Sequence, residues 1–484
     1  MAEVIAGWEG GGHLGRLSLD GLTSLSAESA QALAGWASGG HLSLSGLTTL
    51  PLEVAQALAG WKPTARNRSL SLNGLITLSV ESAEALARWK DSGVVNSLSL
   101  GSLRSLSLEV AEALARWQGD ELALDGLTTL PVEMAEALAR WGGRHSLSLG
   151  GLRTLPLEVA QALAGWEGHS LTLDGLTSLT VESAETLARW RGRGKLSLNG
   201  LITLSVEVAE ALARWEGGSY LSLGGVRSLS VEVAEALARW KCRWDAGSLN
   251  LDGLTSLPVE VTEALARWQG HGLSLGGVRL LSVEVAEALA RWKCRQLSLG
   301  GLMSLPVEVA EVLVGWRGYE LNLDGLASLP VEVAEALARW QGHWYSFDGL
   351  ASFSKDILRS QRSLLHTASE QGGTGMVLFL LQTLRLDKNS KDINGLTCLH
   401  HAARNSHSGL LEILINEDAS IDECEPNTQN TPLHFAAAAG NSEIVMLLLE
   451  GGADMRLKNS EGKTPLHCAV ESGDIDTIRL LVPG

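Results

Sequence analysis

The sequence predicts an α/β solenoid, a ladder of parallel strands backed by helices, followed by an all-helical stack of repeats. Three observations predict it. A unit of 24–28 residues returns fourteen times up to residue 353, its spacing switches from alternating to helical within each copy, and a second unit of 33–34 residues takes over afterwards. Units this short close no core alone, so each buries its apolar face against its neighbours.

In one-letter code the first unit is LxLxGLxxLxxExAxALAxW. Its first leucine falls at Leu17, Leu42, Leu70, Leu98, Leu122, Leu147, Leu171, Leu196, Leu221, Leu249, Leu273, Leu297 and Leu321, and a worn copy starts at Tyr345. Ten steps are of 24 or 25 residues and three are of 28, with the extra residues after the tryptophan, as in Lys62–Ser69. The opening LxL alternates as a strand does, Leu17 and Leu19 to one side and Ser18 to the other. A two-residue turn follows, Asp20-Gly21 or Asn73-Gly74. Glycine holds its second place in thirteen of fourteen copies (Ser102 is the exception), which predicts a residue with positive φ.

The remainder has helix spacing. Val80, Ser82, Ala83, Leu86, Ala87 and Trp89 fill one half of a wheel, and Glu81, Glu84 and Arg88 the other. Ser79, or Pro51 in another copy, opens the helix. Nine copies place Glu four residues before Arg, as in Glu84–Arg88, which predicts exposed ion pairs within each helix worth ~0.2–0.5 kcal/mol. Three copies replace both members together: Gln31 with Gly35, Gln56 with Gly60 and Gln161 with Gly165. The strand–turn–helix unit resembles a leucine-rich repeat over residues 1–353, which implies a parallel ladder on a concave side. It departs from that pattern where Leu22, Leu47 and Leu75 replace the usual turn Asn or Cys, leaving the turn to Gly and the Asp or Asn before it. Fourteen strands at ~4.8 Å would span roughly 65 Å. Turn signatures repeat in blocks of five, so near-identity of copies reflects duplication.

After Phe353, tryptophan disappears and His366, His400, His434 and His467 recur at steps of 34, 34 and 33. Thr431-Pro432-Leu433-His434 and Thr464-Pro465-Leu466-His467 cap and open helices, with Gly440 and Gly451 at helix ends. The second copy, Thr397-Cys398-Leu399-His400, lacks the proline, and the first, Ser363-Leu364-Leu365-His366, is weaker. This unit is similar to the ankyrin repeat. The resemblance implies stacked helix pairs, histidines that bond loop backbone, and a binding surface on loop tips and inner helices. The expected organisation is a solenoid over 1–353, a helical connector over 354–362 and about four ankyrin repeats over 363–484, the last truncated. Neither end carries a polar capping unit, since the chain opens inside a repeat helix (Ala2–Trp8), so a fragment of a longer reading frame is expected.

Composition excludes several classes. The 484 residues are 45% hydrophobic with mean hydropathy +0.10 and net charge −17, divided as −11 over 1–350 and −6 over 351–484. An acidic chain is a poor binder of nucleic acid or anionic membrane. No apolar run reaches ~18 residues, the start has no signal-peptide pattern, and five cysteines make no disulfide framework. An intracellular, cytoplasmic location is expected, with no membrane or nucleic-acid partner.

Several columns invite chemistry. Asp20, Asp125, Asp174, Asp252, Asp324 and Asp348 each precede a turn glycine, but the copies between carry Gly, Ser or Asn, so no converging set of calcium oxygens forms. The tryptophans Trp36 through Trp340 lie at the edge of the apolar half-wheel, where a buried indole removes ~150–250 Å² from water, so they belong to the core. Cys242 and Cys294 sit between Lys and Arg, which lowers a thiol pKa, but no base recurs beside them. Arg104, Arg153, Arg227 and Arg279 share one column as scattered solvated charges, and His401 is an extra exposed imidazole.

No catalytic, metal or cofactor site is expected, and the chain is expected to be no enzyme. The predicted function is a protein-interaction scaffold. Recognition is placed on the ankyrin-like loops and inner helices at Ile393, Asn394, Arg404, Asn405, Asn427 and Gln429. The acidic loop of Glu417, Asp418, Asp422, Glu423 and Glu425 would steer a basic partner. An effector whose catalytic domain lies outside this chain and a self-associating structural solenoid are the alternatives. Partner identity and oligomeric state are open.

Overall fold

The computed structural model describes residues 15–36, 39–61, 67–89, 95–242, 247–340, 344–346, 352–353, 364–382 and 386–482. The helix expected at Ala2–Trp8 and the connector expected over 354–362 lie outside them. The chain falls into two compact units, Met1–Thr255 with Arg267–Ser274, and Ser256–Ala266 with Leu275–Gly484.

In the first unit, eleven strands from Gly15–Ser18 to Gly272–Ser274 pair in chain order. All are parallel, with Leu17 opposite Leu42, Leu42 opposite Leu70 and Leu70 opposite Leu98. Identical LxL motifs fix this register, because a one-residue slip would expose both leucines. Leu42, Leu44 and Leu47 are buried, as are Leu70, Leu72 and Leu75. Each strand is followed by a helix of seven or eight residues, such as Val80–Ala87, whose Ser79 side chain accepts the Ser82 N–H at 3.2 Å. Ala83, Ala85 and Leu86 face inward from it.

The turns depart from expectation in an instructive way. Leu47 N–H donates to the Leu44 carbonyl at 3.1 Å, but no turn glycine of the solenoid has positive φ among the described residues. Glycine is needed for closeness instead. A Cβ on Gly46 would strike the carbonyl oxygens of Asp20 and Leu22 in the preceding copy, and one on Gly175 would strike those of Gly150 and Leu152. The acid or amide before the glycine ties that copy to the next. Asp174 Oδ1 accepts from the Ser197 hydroxyl at 2.7 Å and the Asn199 N–H at 2.9 Å, and Asn199 Oδ1 accepts from Ser222 at 2.8 Å and Gly224 N–H at 2.7 Å. These bonds supply what the missing turn Asn would have given, and leave Leu47 and Leu75 free to fill the core. Asp174→Ala strips two donors of their acceptor and is expected to cost about 1–3 kcal/mol in urea unfolding. Asp174→Asn keeps Oδ1 and should cost less than a third of that, whereas equal losses would contradict the clamp.

The tryptophans form a buried column. Indole centroids of successive copies lie 6.1 Å apart at Trp36–Trp61 and 5.7 Å at Trp190–Trp215, with planes 4° and 14° from parallel. The ring N–H of Trp61 donates to the Trp36 carbonyl at 2.9 Å, and that of Trp215 to the Trp190 carbonyl at 3.1 Å. Among the described residues the ring N–H groups of Trp36, Trp117 and Trp166 have no acceptor, so burial and stacking decide the arrangement more than hydrogen bonding does. Gly143, Gly168 and Gly218 lie so close under Trp141, Trp166 and Trp215 that a Cβ would overlap the ring.

The Glu–Arg pairs run between copies rather than along each helix. Arg214 reaches Glu185 at 3.0 Å, Arg239 reaches Glu210 at 3.2 Å and Arg267 reaches Glu235 at 2.9 Å. Among the described residues only Glu287–Arg291 pairs at i,i+4, at 3.7 Å. The long guanidinium extends more easily sideways to the neighbouring helix than back along its own. All these groups are exposed, so each pair contributes little, ~0–1 kcal/mol.

The second unit repeats the strand pairing over Gln296–Ser298, Glu320–Asn322 and Trp344–Ser346. Helix pairs then replace strands: 364–371 with Thr374–Gln382, Cys398–Arg404 with Ser408–Asn416, Pro432–Ala439 with Ser442–Glu450, and Pro465–Ser472 with Ile475–Leu481. Gly373 lies against the Ala338 carbonyl with no room for a Cβ, so the first helix pair abuts the last described helix of the ladder.

Candidate interaction surfaces

The four-residue motif of the C-terminal segment works as a bracket. Thr431 Oγ1 and N–H both contact His434 Nδ1, at 2.9 and 3.2 Å, and His434 Nε2 reaches the Lys463 carbonyl of the next unit at 3.1 Å. His400 does the same between Thr397 and Asn430 O, and His366 Nε2 lies 2.9 Å from Ser390 O. In His400 and His434 Nδ1 accepts from a backbone N–H, so these two rings are neutral with the proton on Nε2, donating across the repeat boundary. Burial pulls His400 down to about 4 and lowers His434 as well.

His401 is not the exposed imidazole expected of it. It is buried, 3.0 Å from Asp392 Oδ2, with burial lowering its pKa against the pull of that carboxylate. Asp392 Oδ1 also accepts from the N–H groups of Asn394 and Leu396, each at 2.8 Å. Burial opposes its charge, but the bonds from Leu396, His401 and Asn394 outweigh it and hold the carboxyl below its usual range. The turn Asp392–Leu396 is closed by Asp392 N–H to Leu396 O at 2.9 Å, with Gly395 at φ +79.

At this turn's tip Ile393 is 100% exposed and Asn394 is exposed beside it. The next turn, Glu425–Asn430, presents Asn427 and Gln429, both exposed, the latter with φ +55. Arg404 and Asn405 are also exposed but stand at the other end of the Cys398–Arg404 helix, where Asn405 caps the His401 carbonyl. Seven helical residues rise about 10 Å, so this pair and the tips form separate patches.

The acidic loop is largely committed to internal bonds. Glu417 takes Gln382 on its side chain at 2.9 Å and Lys388 on its carbonyl. Asp422 accepts the Asp454 N–H at 3.0 Å, and Glu423 pairs with Lys391 at 2.8 Å. Glu425 is buried and accepts from Asn427 N–H at 2.8 Å and from Thr428. Burial opposes its charge, yet these bonds keep its carboxyl below the ordinary range. Asp418, at φ +57, is exposed. No signal in a run of acids distinguishes those that cap loops from those that face solvent.

Other candidate chemistry resolves in the same way. The described residues hold no group of three or more His, Cys, Asp or Glu that could bind a metal. Cys294 is buried and its thiol is pushed up to about 12, opposite to the activation its Lys and Arg neighbours suggested, because burial dominates. Cys398 is pushed up to about 11 for the same reason. Arg104, Arg153, Arg227 and Arg279 are all exposed. Among the described residues no helix is long and apolar enough to cross a membrane.

A family model for ankyrin repeats matches residues 350–423 and 420–484. The C-terminal segment carries ankyrin repeats. Similar curated proteins include the human BCL-6 corepressor-like protein 1, 34% identical over 101 residues, 21% of this chain and 6% of that protein. The palmitoyltransferase Hip14 of Drosophila melanogaster is 32% identical over 95 residues, 20% of this chain and 15% of that protein. The mouse neurogenic locus notch homolog protein 1 is 32% identical over 100 residues, 21% of this chain and 4% of that protein. The chain thus spans no more than 15% of the length of these relatives.

Proposed function

We propose that the chain is a non-catalytic protein-interaction scaffold, with a solenoid over 1–353 and ankyrin repeats over 363–484 both offering surface to protein partners inside the cell. The observation that carries this is the contrast at the ankyrin turns. The carboxylates of Asp392 and Glu425 accept hydrogen bonds from within their own turns, yet Ile393, Asn394, Asn427 and Gln429 are presented outward at the tips. An exposed isoleucine on a pre-ordered turn costs little entropy to engage, which is how a small patch becomes a binding hot spot. Free thiols at Cys294, Cys398, Cys424 and Cys468 suit a reducing compartment. A second reading, a module of a longer effector or signalling protein, is favoured by the small share of each relative that the chain spans.

The test is affinity capture with the whole chain, followed by identification of bound proteins and direct titration of the strongest. Ile393→Asp with Gln429→Ala should weaken that binding at least tenfold while the thermal transition moves little. Asp418→Lys probes acidic steering without breaking a loop bond. Unchanged affinity in the Ile393→Asp/Gln429→Ala protein would remove the tips from the interface.

A further inference from the structure

We propose that the first unit carries a second binding groove, on the loop edge of the solenoid, for an extended acidic peptide segment. The groove runs past the helix ends of five successive copies, from Ala139 to Cys242. It presents Arg140, Arg144, Arg189, Arg191, Arg193 and Lys241, all exposed and none with an ion-pair partner among the described residues. Against them stand two acids, Glu167 and Glu216. Arg214 also lines it but is engaged by Glu185. In a chain of net charge −17, six free cations on one edge mark a local reversal of sign. The partial negative charge of the helix ends nearby, roughly half a unit each, offsets only part of it.

The break in the Glu–Arg lattice explains how the groove arises. Elsewhere an arginine reaches back to a glutamate of the preceding copy, as Arg214 does to Glu185 and Arg239 to Glu210. The equivalent partner for Arg189 is residue 161, which is Gln161, so Arg189 has no acid to hold. In the same copy Gly165 replaces the arginine, leaving a notch between Arg140 and Arg189. The paired substitution both frees a cation and opens space.

Repeat spacing selects the occupant. From Trp141 to Trp240 successive indole centroids lie 5.7–6.0 Å apart. The free cations flank Trp141, Trp190 and Trp240, and Glu167 and Glu216 lie on the copies between, so the cation clusters recur every two steps, at roughly 12 Å. An extended chain rises ~3.3 Å per residue, which sets every fourth side chain ~13 Å apart. Asp or Glu at every fourth position would therefore meet successive cation clusters. Single-stranded nucleic acid also carries regularly spaced negative charge but needs aromatic platforms, and the indoles here are buried and stacked on one another.

The experiment is fluorescence anisotropy of the full chain with a labelled twelve-residue peptide of three Glu-Ser-Ser-Ser blocks, at 50 and 300 mM salt, against the same peptide with Lys for Glu and twelve-nucleotide oligothymidine. Saturable, salt-sensitive binding of the acidic peptide is expected, weakened about tenfold or more by Arg191→Glu/Arg193→Glu. Gln161→Glu, which returns a partner to Arg189, should weaken it several-fold. Arg104→Glu/Arg153→Glu changes net charge equally on the turn column and should leave affinity within about twofold. Circular dichroism confirms that each variant folds. Absence of binding, equal loss in the Arg104→Glu/Arg153→Glu control, or tighter binding of oligothymidine would overturn the proposal.

Discussion

Trp215→Ala is expected to destabilise the first unit by about 3–5 kcal/mol, the range for truncating a large buried aromatic side chain. Trp215 is fully buried, stacks on Trp190 at 5.7 Å and Trp240 at 6.0 Å, and donates to the Trp190 carbonyl. Its own carbonyl accepts the Trp240 ring N–H at 2.8 Å, so the substitution cuts a column at its middle. Stability in a repeat array is a sum over neighbouring interfaces, so the loss concentrates in the flanking copies. Hydrogen exchange should show strands Lys195–Ser197 and Tyr220–Ser222 opening first, with the urea midpoint lowered. Trp215→Phe retains a ring without the N–H and should recover most of the loss. A midpoint unchanged by Trp215→Ala would mean the column is ornamental.

Acidification from pH 7 to 4 is expected to remove about 3 kcal/mol from the ankyrin segment through His400 alone, from its drop from 6.5 to about 4. The sign follows from linkage. The folded state holds the ring neutral while the unfolded chain takes up a proton, so stability is complete above the unfolded value near 6.5. It is lost progressively as pH falls towards 4. His434 and His401, also lowered by burial, add in the same direction. Asp392 and Glu425 are depressed carboxylates, so their contributions are complete above the ordinary values of 3.8 and 4.5 and are lost as pH falls through and below them. Hydrogen exchange of the Cys398–Arg404 helix, followed by urea titration at pH 7, 5.5 and 4.5, reads this directly. Protection that is flat across that interval would contradict a buried neutral His400.

Periodicity along the chain made the strands, helices and tryptophan column legible, because alternation and 3.6-residue spacing translate directly into which face is buried. The motif Thr431–His434 likewise carried its capping geometry on its face. What stayed hidden concerns distances between copies. Nothing in the spacing of Glu210 and Arg214 reveals that Arg214 reaches Glu185 instead, since lateral separation of neighbouring helices is set by packing. The turn glycines signal a special backbone, but the same letter serves a left-handed residue and a close approach, and only the stacked carbonyls distinguish them. The imidazole of His401 reads as surplus until the turn at Asp392 folds back onto it. The acids of 417–425 look alike in sequence, and differ because loop N–H groups converge on Glu425 and Asp422 but not on Asp418.

The most direct test of a solenoid clamped by its indoles is acrylamide quenching of tryptophan fluorescence in a chain with Trp8, Trp244 and Trp344 changed to phenylalanine, leaving the thirteen tryptophans from Trp36 to Trp340. All thirteen are buried, so emission should be blue-shifted and quenching uniformly weak, rising to that of a free indole only on unfolding. Strong quenching of the folded chain, at the rate of exposed indole, would contradict the account.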